Sequence, residues 1–365
     1  EDGQVYVTGQ RKQQDLRLLP NGFPMRAELS VKVTDVSTGN HHTFLLDHSG
    51  GVWAFGTCSD GQLGTGEIRG FISKPQKLED IPPMASVSCA GLHSFCIDTE
   101  NKAWCCGCNS SGQLGKVTNS WTTTSKLELH PHLQNVATIV CGRYHGFAIC
   151  VTGELYCWGS NSNGRLGFPA RVKEVGAPTE FPVSFTSPIV SIACGTHHSL
   201  ILLEDGKVYA FGQNGNGQCG REGKNDVYLS DESTEVQNLL PIEKIYCQEY
   251  SSMCIDNAGH IQMFGANANI ENDDDAHSSH QPHRIPEIED AVYITTGHSH
   301  SFVKDITGAV WSFGNNAQGQ LGLGMEYGIA YSASENRHYI PQKLSAEFFS
   351  LLPQRSRTVM KSARK

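Results

Sequence analysis

No run of about 18 or more apolar residues occurs in the 365-residue chain, so no membrane-spanning helix is expected. The chain opens Glu1-Asp2-Gly3, without a basic stretch leading into an apolar one, so no secretory signal is expected. It also lacks an initiator Met, which reads as either a trimmed chain or a piece of a longer protein. Cations are in the minority: 28 Lys and Arg face 37 Asp and Glu, for a net charge of −9. Broad nucleic-acid binding needs clustered Lys and Arg to displace counterions, so that class of partner is argued against. The basic stretch Arg355, Arg357, Lys361, Arg364 and Lys365 is expected to be a solvated tail. Helical patterning is nearly absent, apart from a short turn expected near 345–352. No nucleophile motif, phosphate-cradling glycine loop before a helix, or paired-carboxylate arrangement is found. An enzyme is therefore not expected, and no cofactor is implied. The thirteen cysteines are an odd number, a poor fit to a secreted disulfide framework. Reduced thiols, and hence a cytoplasmic or nuclear protein, are expected instead.

What the chain has is glycine, 38 residues or roughly 10% against a usual ~7%, and a repeat. The first half of the repeat is Gly-x-x-His followed by Ser or Thr, or a close variant of it. It reads Gly39-Asn40-His41-His42-Thr43, Ala90-Gly91-Leu92-His93-Ser94 and Gly142-Arg143-Tyr144-His145-Gly146. It recurs as Gly195-Thr196-His197-His198-Ser199 and Gly297-His298-Ser299-His300-Ser301, with a diverged copy at Gln248-Glu249-Tyr250-Ser251-Ser252. The second half is a short aromatic strand ending in Gly, then a turn of the Gly-Gln-Leu-Gly type. Val52-Trp53-Ala54-Phe55-Gly56 leads to Gly61-Gln62-Leu63-Gly64, and Leu155-Tyr156-Cys157-Trp158-Gly159 leads to Gly164-Arg165-Leu166-Gly167. The strand-ending glycines 56, 107, 159, 212, 265 and 314 step by 51, 52, 53, 53 and 49 residues. The His positions keep the same steps. Several short strands per unit, at a period near 50, read as the blades of a β-propeller.

The termini suggest how the ring closes. Asp2-Gly3-Gln4-Val5-Tyr6-Val7-Thr8-Gly9 matches Asp205 to Gly212, a second half without a first. Ile340-Pro341-Gln342-Lys343-Leu344 resembles Lys74-Pro75-Gln76-Lys77-Leu78, read here as the opening of a repeat. Arg357 to Lys361 then aligns with His300 to Lys304. The expected fold is thus all-β: a single seven-bladed propeller over 1–365, closed by a blade split between the two termini, with six blades the alternative. The repeats are placed at 30–75, 76–126, 127–180, 181–236, 237–286 and 287–338, with the closing blade at 339–365 plus 1–29. A split blade would remove exposed sheet edges.

The repeated unit and its period resemble the regulator of chromosome condensation family, across essentially the whole chain. The resemblance implies a propeller whose founding member exchanges nucleotide on the small GTPase Ran and binds chromatin. Other members are non-catalytic modules, some of them in large HECT-type ubiquitin ligases, so fold does not settle function. The plant ultraviolet receptor of this family carries Trp in its Gly-Trp-Arg-His-Thr repeats; no Trp occupies the x positions here, which argues against that photochemistry. The expected function is a protein–protein interaction propeller, a scaffold or regulatory module of a larger intracellular signalling protein. The alternative is a guanine nucleotide exchange factor for a Ran-like GTPase.

Candidate sites follow from departures from the repeat. His42, His93, His145, His198 and His300 occupy one repeated position, so each is read as a structural hydrogen-bonding group, one ring nitrogen donating and the other accepting. Cys89, Cys141, Cys194 and Cys247 are likewise equivalent and read as small buried hydrophobes. Cys106 and Cys108 flank Gly107 without a second Cys pair, so no metal site is assigned. The x residues vary and lie on one rim: Asn40, His41, Leu92, Arg143, Tyr144, Thr196, His197, Glu249, Tyr250, His298 and Ser299. A rim rich in Arg and aromatic residues suits a protein partner. The stretch 270–286 replaces the usual turn with Asp273, Asp274, Asp275, His277, His280 and His283, read as a mobile acidic loop and a second candidate partner contact.

Overall fold

Each repeat folds into one antiparallel sheet because its alternating strands have two faces to bury and its glycines turn the chain between them. The computed structural model describes residues 5–7, 25–26, 29, 31–68, 70–117, 123–223, 225–229, 234–266, 278–316, 319–323 and 337–344. Blade one comprises Val33–Thr38, His42–Asp47, Val52–Thr57 and Phe71–Lys77. Blade two comprises Met84–Ala90, His93–Asp98, Ala103–Cys108 and Thr123–Leu129. Blade three comprises Val136–Cys141, His145–Cys150, Leu155–Ser160 and Glu174–Glu180. Blade four has Ile189–Cys194, His198–Leu203 and Val208–Gly212, with single bridges from Tyr209 to Glu235 and from Gly212 to Val227 beside its third strand. Blade five comprises Ile242–Cys247, Ser251–Asp256, Ile261–Ala266 and Ser278–Ile285, and blade six Ala291–Thr296, His300–Asp305, Val310–Asn315 and Arg337–Lys343. The first strands of successive blades lie beside one another, so they are the inner strands.

Among the described residues the propeller has six blades, not the expected seven. Two observations overturn the split blade. Among the described residues, the N-terminal strand Tyr6–Val7 pairs with Met25–Arg26 in a two-stranded sheet and with no blade strand. The likeness of 340–344 to 74–78 holds, but both segments belong to fourth strands, Arg337–Lys343 and Phe71–Lys77. It therefore ends blade six instead of opening another repeat. The Arg357–Lys361 half-repeat and the turn near 345–352 lie outside the described residues. Val5 packs with Val33 and Leu45, so the small N-terminal sheet sits against blade one.

The cores are seams between blades. Phe147 and Phe211, from blades three and four, are fully buried with their ring centroids 6.4 Å apart. Each such ring is worth about 1.5–3 kcal/mol in removed apolar surface. At the hairpin joining second and third strands, an Asp closes the turn. Asp47 accepts from the N–H groups of Ser49 and Gly51, each at 2.9 Å, and from the Trp53 indole at 2.9 Å. Asp98 with Trp104 and Asp305 with Trp311 repeat the arrangement at 2.8 and 3.0 Å. Burial pushes the Asp47 carboxyl up. The hydrogen bonds from Ser49 and Trp53 and from the Gly51 and Ser49 backbone outweigh it and hold the group at about 2.

All thirteen cysteines are free thiols, eleven of them buried. Burial pushes Cys89, Cys105 and Cys141 up to about 12, so they carry almost no thiolate at neutral pH. A thiol reagent such as Ellman's should therefore react quickly with about one thiol per native chain, at half-buried Cys150. Fast reaction of many thiols before denaturant is added would contradict this burial.

Candidate partner-binding rim

The x-x loops share one backbone conformation because the residue after each strand-ending Gly grips them. The N–H of Ser160 donates to the Tyr144 carbonyl at 2.9 Å, that of Gln213 to His197 at 2.9 Å, and that of Ala266 to Tyr250 at 2.8 Å. The glycine makes the grip possible. Gly212 has φ +116°, and a Cβ there would stand 2.5 Å from the His197 carbonyl oxygen. With the backbone held in this way, the x side chains are free to differ.

Beneath the rim lies a hydrogen-bond relay between neighbouring blades. His42 Nε2 is 2.9 Å from Ser94 Oγ, His145 from Ser199, and His198 from Ser252, each at the same distance. The serine hydroxyls donate onward, Ser94 to the Gln62 carbonyl and Ser199 to that of Arg165. With each hydroxyl proton committed, the ring must donate from Nε2. The expected two-ended bond is corrected: Nδ1 of His42, His145 and His198 has no partner. That edge instead lies over the repeat's glycine. At Gly142 a Cβ would come within 2.3 Å of the His145 ring.

Two blades keep the relay with different residues. In blade five Gln248 and Ser251 replace Gly and His. Gln248 Nε2 donates to Ser301 Oγ at 2.6 Å, while its Oε1 accepts from Ser251. The copy that reads as diverged is therefore a working substitute. In blade three Gly146 takes the serine's place. The Trp158 indole N–H now donates to the Gln113 carbonyl at 2.9 Å, as a serine would. A Cβ at residue 146 would lie 2.6 Å from the Trp158 ring. His93, facing that glycine, is fully buried with neither ring nitrogen bonded.

On the rim itself the structure joins residues from blades three to six. The Arg143 guanidinium lies 5.3 Å from the Tyr144 ring centroid. Tyr144 is 6.1 Å from His197, and His197 stacks on Tyr250 at 6.2 Å. Arg143 reaches Glu249 at 3.7 Å, spanning from blade three to blade five over blade four. Glu249 also meets His298 of blade six at 2.5 Å. Burial lowers the His197 imidazole to about 4, with help from Arg165 and Arg143, so it is neutral at physiological pH. Burial raises the Tyr250 hydroxyl, and the Glu249 carboxylate adds to that.

Sequence reasoning missed Arg165, which takes the Gln position of the Gly-Gln-Leu-Gly turn. It is buried under the rim, 5.8 Å from the Tyr144 centroid. It donates to Ser162 O at 2.8 Å, Thr196 O at 3.0 Å and Asn163 Oδ1 at 3.1 Å. Burial lowers its guanidinium to about 10. The Gln-to-Arg change was the available signal. Thr196 is buried and offers its carbonyl to Arg165. Asn40, His41, Leu92 and Ser299 are on the same rim but outside the Arg143–His298 network. Of the second candidate, Asp273, Asp274, Asp275 and His277 lie outside the described residues. His280 and His283 stand on the fourth strand of blade five, so that part is sheet and not loop. Among the described residues, no three or more His, Cys, Asp or Glu are placed to hold a metal ion. No described helix is long and apolar enough to cross a membrane.

The RCC1-like domain model matches residues 71–350, more than half of the chain. The chain belongs to the RCC1-like domain family. Its relatives in this family differ widely in size. The human probable E3 ubiquitin-protein ligase HERC6 is 31% identical over 66% of this chain but only 24% of its own length. The fission yeast protein pim1 is 26% identical over 69% of this chain and 51% of its own. The mouse regulator of chromosome condensation is 26% identical over 80% of this chain and 73% of its own. The chain thus spans about a quarter and about half of the first two. Among solved structures, human WBSCR16 superposes with a TM-score of 0.73 at 21% identity, covering 88% of this chain and 84% of that one. Yeast RCC1 (Prp20), solved bound to Kap60, gives 0.69 at 18% identity, covering 86% and 75%. At such identities these likenesses speak for the fold.

Proposed function

We propose that this RCC1-like propeller is a non-catalytic interaction module whose rim, centred on Arg143, Tyr144, His197, Glu249, Tyr250 and His298, recognises a partner protein. The observation carrying this reading is that blades three to six hold one loop backbone in common while their x side chains interlock in a pattern no repeat dictates. Aromatic residues and Arg, held rigid by neighbours, are the side chains that dominate protein interfaces. A scaffold or regulatory role within a larger intracellular protein, cytoplasmic or nuclear, fits relatives several times its length. Immobilised protein should retain its partner from cell extract. The Arg143→Ala/Tyr144→Ala variant, with unchanged thermal stability, should lose at least tenfold of it. Equal recovery by both would remove the rim from the interface.

A second reading is nucleotide exchange on a small GTPase. It is favoured by the mouse regulator of chromosome condensation, matched over 73% of its length, and by the yeast RCC1 structure described with its binding to Gsp1p and histones. Exchange needs no bond chemistry, only tighter binding of the nucleotide-free GTPase than of the loaded one. Release of a fluorescent guanine nucleotide from a panel of small GTPases decides between the two. No acceleration on any of them would dismiss this reading.

A further inference from the structure

The rim is not uniform in charge, and the departure lies in blade three. Arg143 comes from the first loop of that blade, and Arg165, Arg171 and Lys173 from its second long loop. Both loops leave the same end of the sheet, since the N–H after Gly159 bonds back to Tyr144 and Arg165 packs beneath the Tyr144 ring. The second loop is held in shape by Asn161. Its side-chain amide donates to the Phe168 and Val172 carbonyls at 3.1 and 2.7 Å, and its N–H donates to the Lys173 carbonyl at 2.8 Å. Arg171 and Lys173 are exposed, and among the described residues neither makes an ion pair. Glu174 follows Lys173, Asp226 meets the loop at Asn163, and Glu249 meets Arg143. Four cations against three carboxylates leave +1 here, while the other charges of the chain sum to −10.

Arg165 cannot be the contact itself. Its guanidinium is buried, and three of its five N–H donors are given to Ser162, Asn163 and Thr196. It charges the floor under Tyr144 instead. Of the accessible cations, Arg143 lies against the half-buried Tyr144 ring, and Arg171 and Lys173 are exposed further along the second loop. That pattern suits a chain of single negative charges next to apolar side chains better than one concentrated dianion. A negatively charged propeller would also repel nucleic acid from every other approach.

We propose that the blade-three sector around Arg143, Tyr144, Arg171 and Lys173 docks an acidic segment of the partner protein, rich in Asp or Glu and carrying an aromatic side chain. This inference rests on the rim being the interaction surface, and it names the chemistry of the partner.

The test uses fluorescence polarisation with a labelled twelve-residue peptide of Glu and Asp around a central Phe. Its Lys counterpart and a single-stranded oligonucleotide serve as comparison probes. The acidic peptide should bind most tightly, and its affinity should fall at least fivefold between 50 and 300 mM salt as the charges are screened. The triple variant Arg143→Ala/Arg171→Ala/Lys173→Ala should bind at least tenfold more weakly. Lys102→Ala, whose residue lies on a hairpin at the opposite end of blade two, should bind as the parent does. Equal thermal stability of the variants checks folding; should the triple variant be less stable, Arg171→Ala/Lys173→Ala alone replaces it, since both side chains are exposed. Equal binding by the cation-depleted variant, or preference for the Lys peptide or the oligonucleotide, would overturn the proposal. Partner recovery lost in Arg143→Ala/Tyr144→Ala without any acidic-peptide binding would leave the rim standing and remove only the acidic chemistry.

Discussion

Acidification from pH 7 to pH 4 should unfold this protein through its histidines, well before the Asp47 carboxyl is protonated. Burial lowers His42 to about 4, His93 to about 3, His198 to about 3 and His300 to about 4, and pushes His145 well down in the same direction. In the unfolded chain these rings titrate near 6.5. Between that value and the folded ones the unfolded state binds more protons, so stability rises with pH and is lost as pH falls. The loss begins near 6.5 and runs down to about 4, where the folded rings begin to titrate. Each ring contributes up to about 1.4 kcal/mol per pH unit in that window. Several together exceed a typical stability of roughly 5–15 kcal/mol. The carboxyl of Asp47, also depressed, gives stability that is lost only as pH falls from about 4 through about 2. Melting temperature measured at half-unit steps from pH 7.5 to 4 checks this. A curve flat down to pH 4.5 would mean that the rings are not held neutral in the fold. His198→Leu should flatten the curve measurably while lowering stability at pH 7.5, because Ser252 then loses its donor.

The second large effect is expected at the seam between blades two and three. Gly146→Ser alone should destabilise by roughly 2–3 kcal/mol or more, since the new side chain meets the Trp158 ring at 2.6 Å. Trp158→Phe alone should cost about 2–4 kcal/mol, through the space it leaves and the lost bond to Gln113. Together they reinstate the pairing of Ser199 with Phe211 and of Ser252 with Phe264. The double variant should therefore lie within about 1 kcal/mol of the parent, with a coupling of at least about 3 kcal/mol. The introduced hydroxyl also offers His93 its missing partner. Denaturant unfolding of the four proteins closes the cycle. Additive losses would show that Trp158 does not stand in for the serine.

The family, the strand-rich unit and its period were legible because they are written locally. A Gly that must sit at φ +116° under a carbonyl, or against an imidazole, recurs wherever that backbone recurs. The repeated His could be read as scaffold for the same reason. The termini misled, since a strand's sequence does not say which strand it pairs with. Val5 to Gly9 looks like a third strand, and Tyr6–Val7 pairs instead with Met25–Arg26. The segment Ile340 to Lys343 looks like a blade boundary and lies in the fourth strand of blade six.

The sequence by itself determined the propeller, its family and the positions where blades differ. Those follow from backbone requirements repeated about every 50 residues. Only the tertiary structure decided that the described ring has six blades, that Gln248 and Trp158 replace a missing His and Ser, and that Arg165 lies under Tyr144. It also decided which variable residues meet: Arg143 and Glu249 are 106 positions apart and touch at 3.7 Å. The reason is physical. Contacts across a seam or over a rim depend on how whole blades dock, and no local pattern of residues encodes that distance.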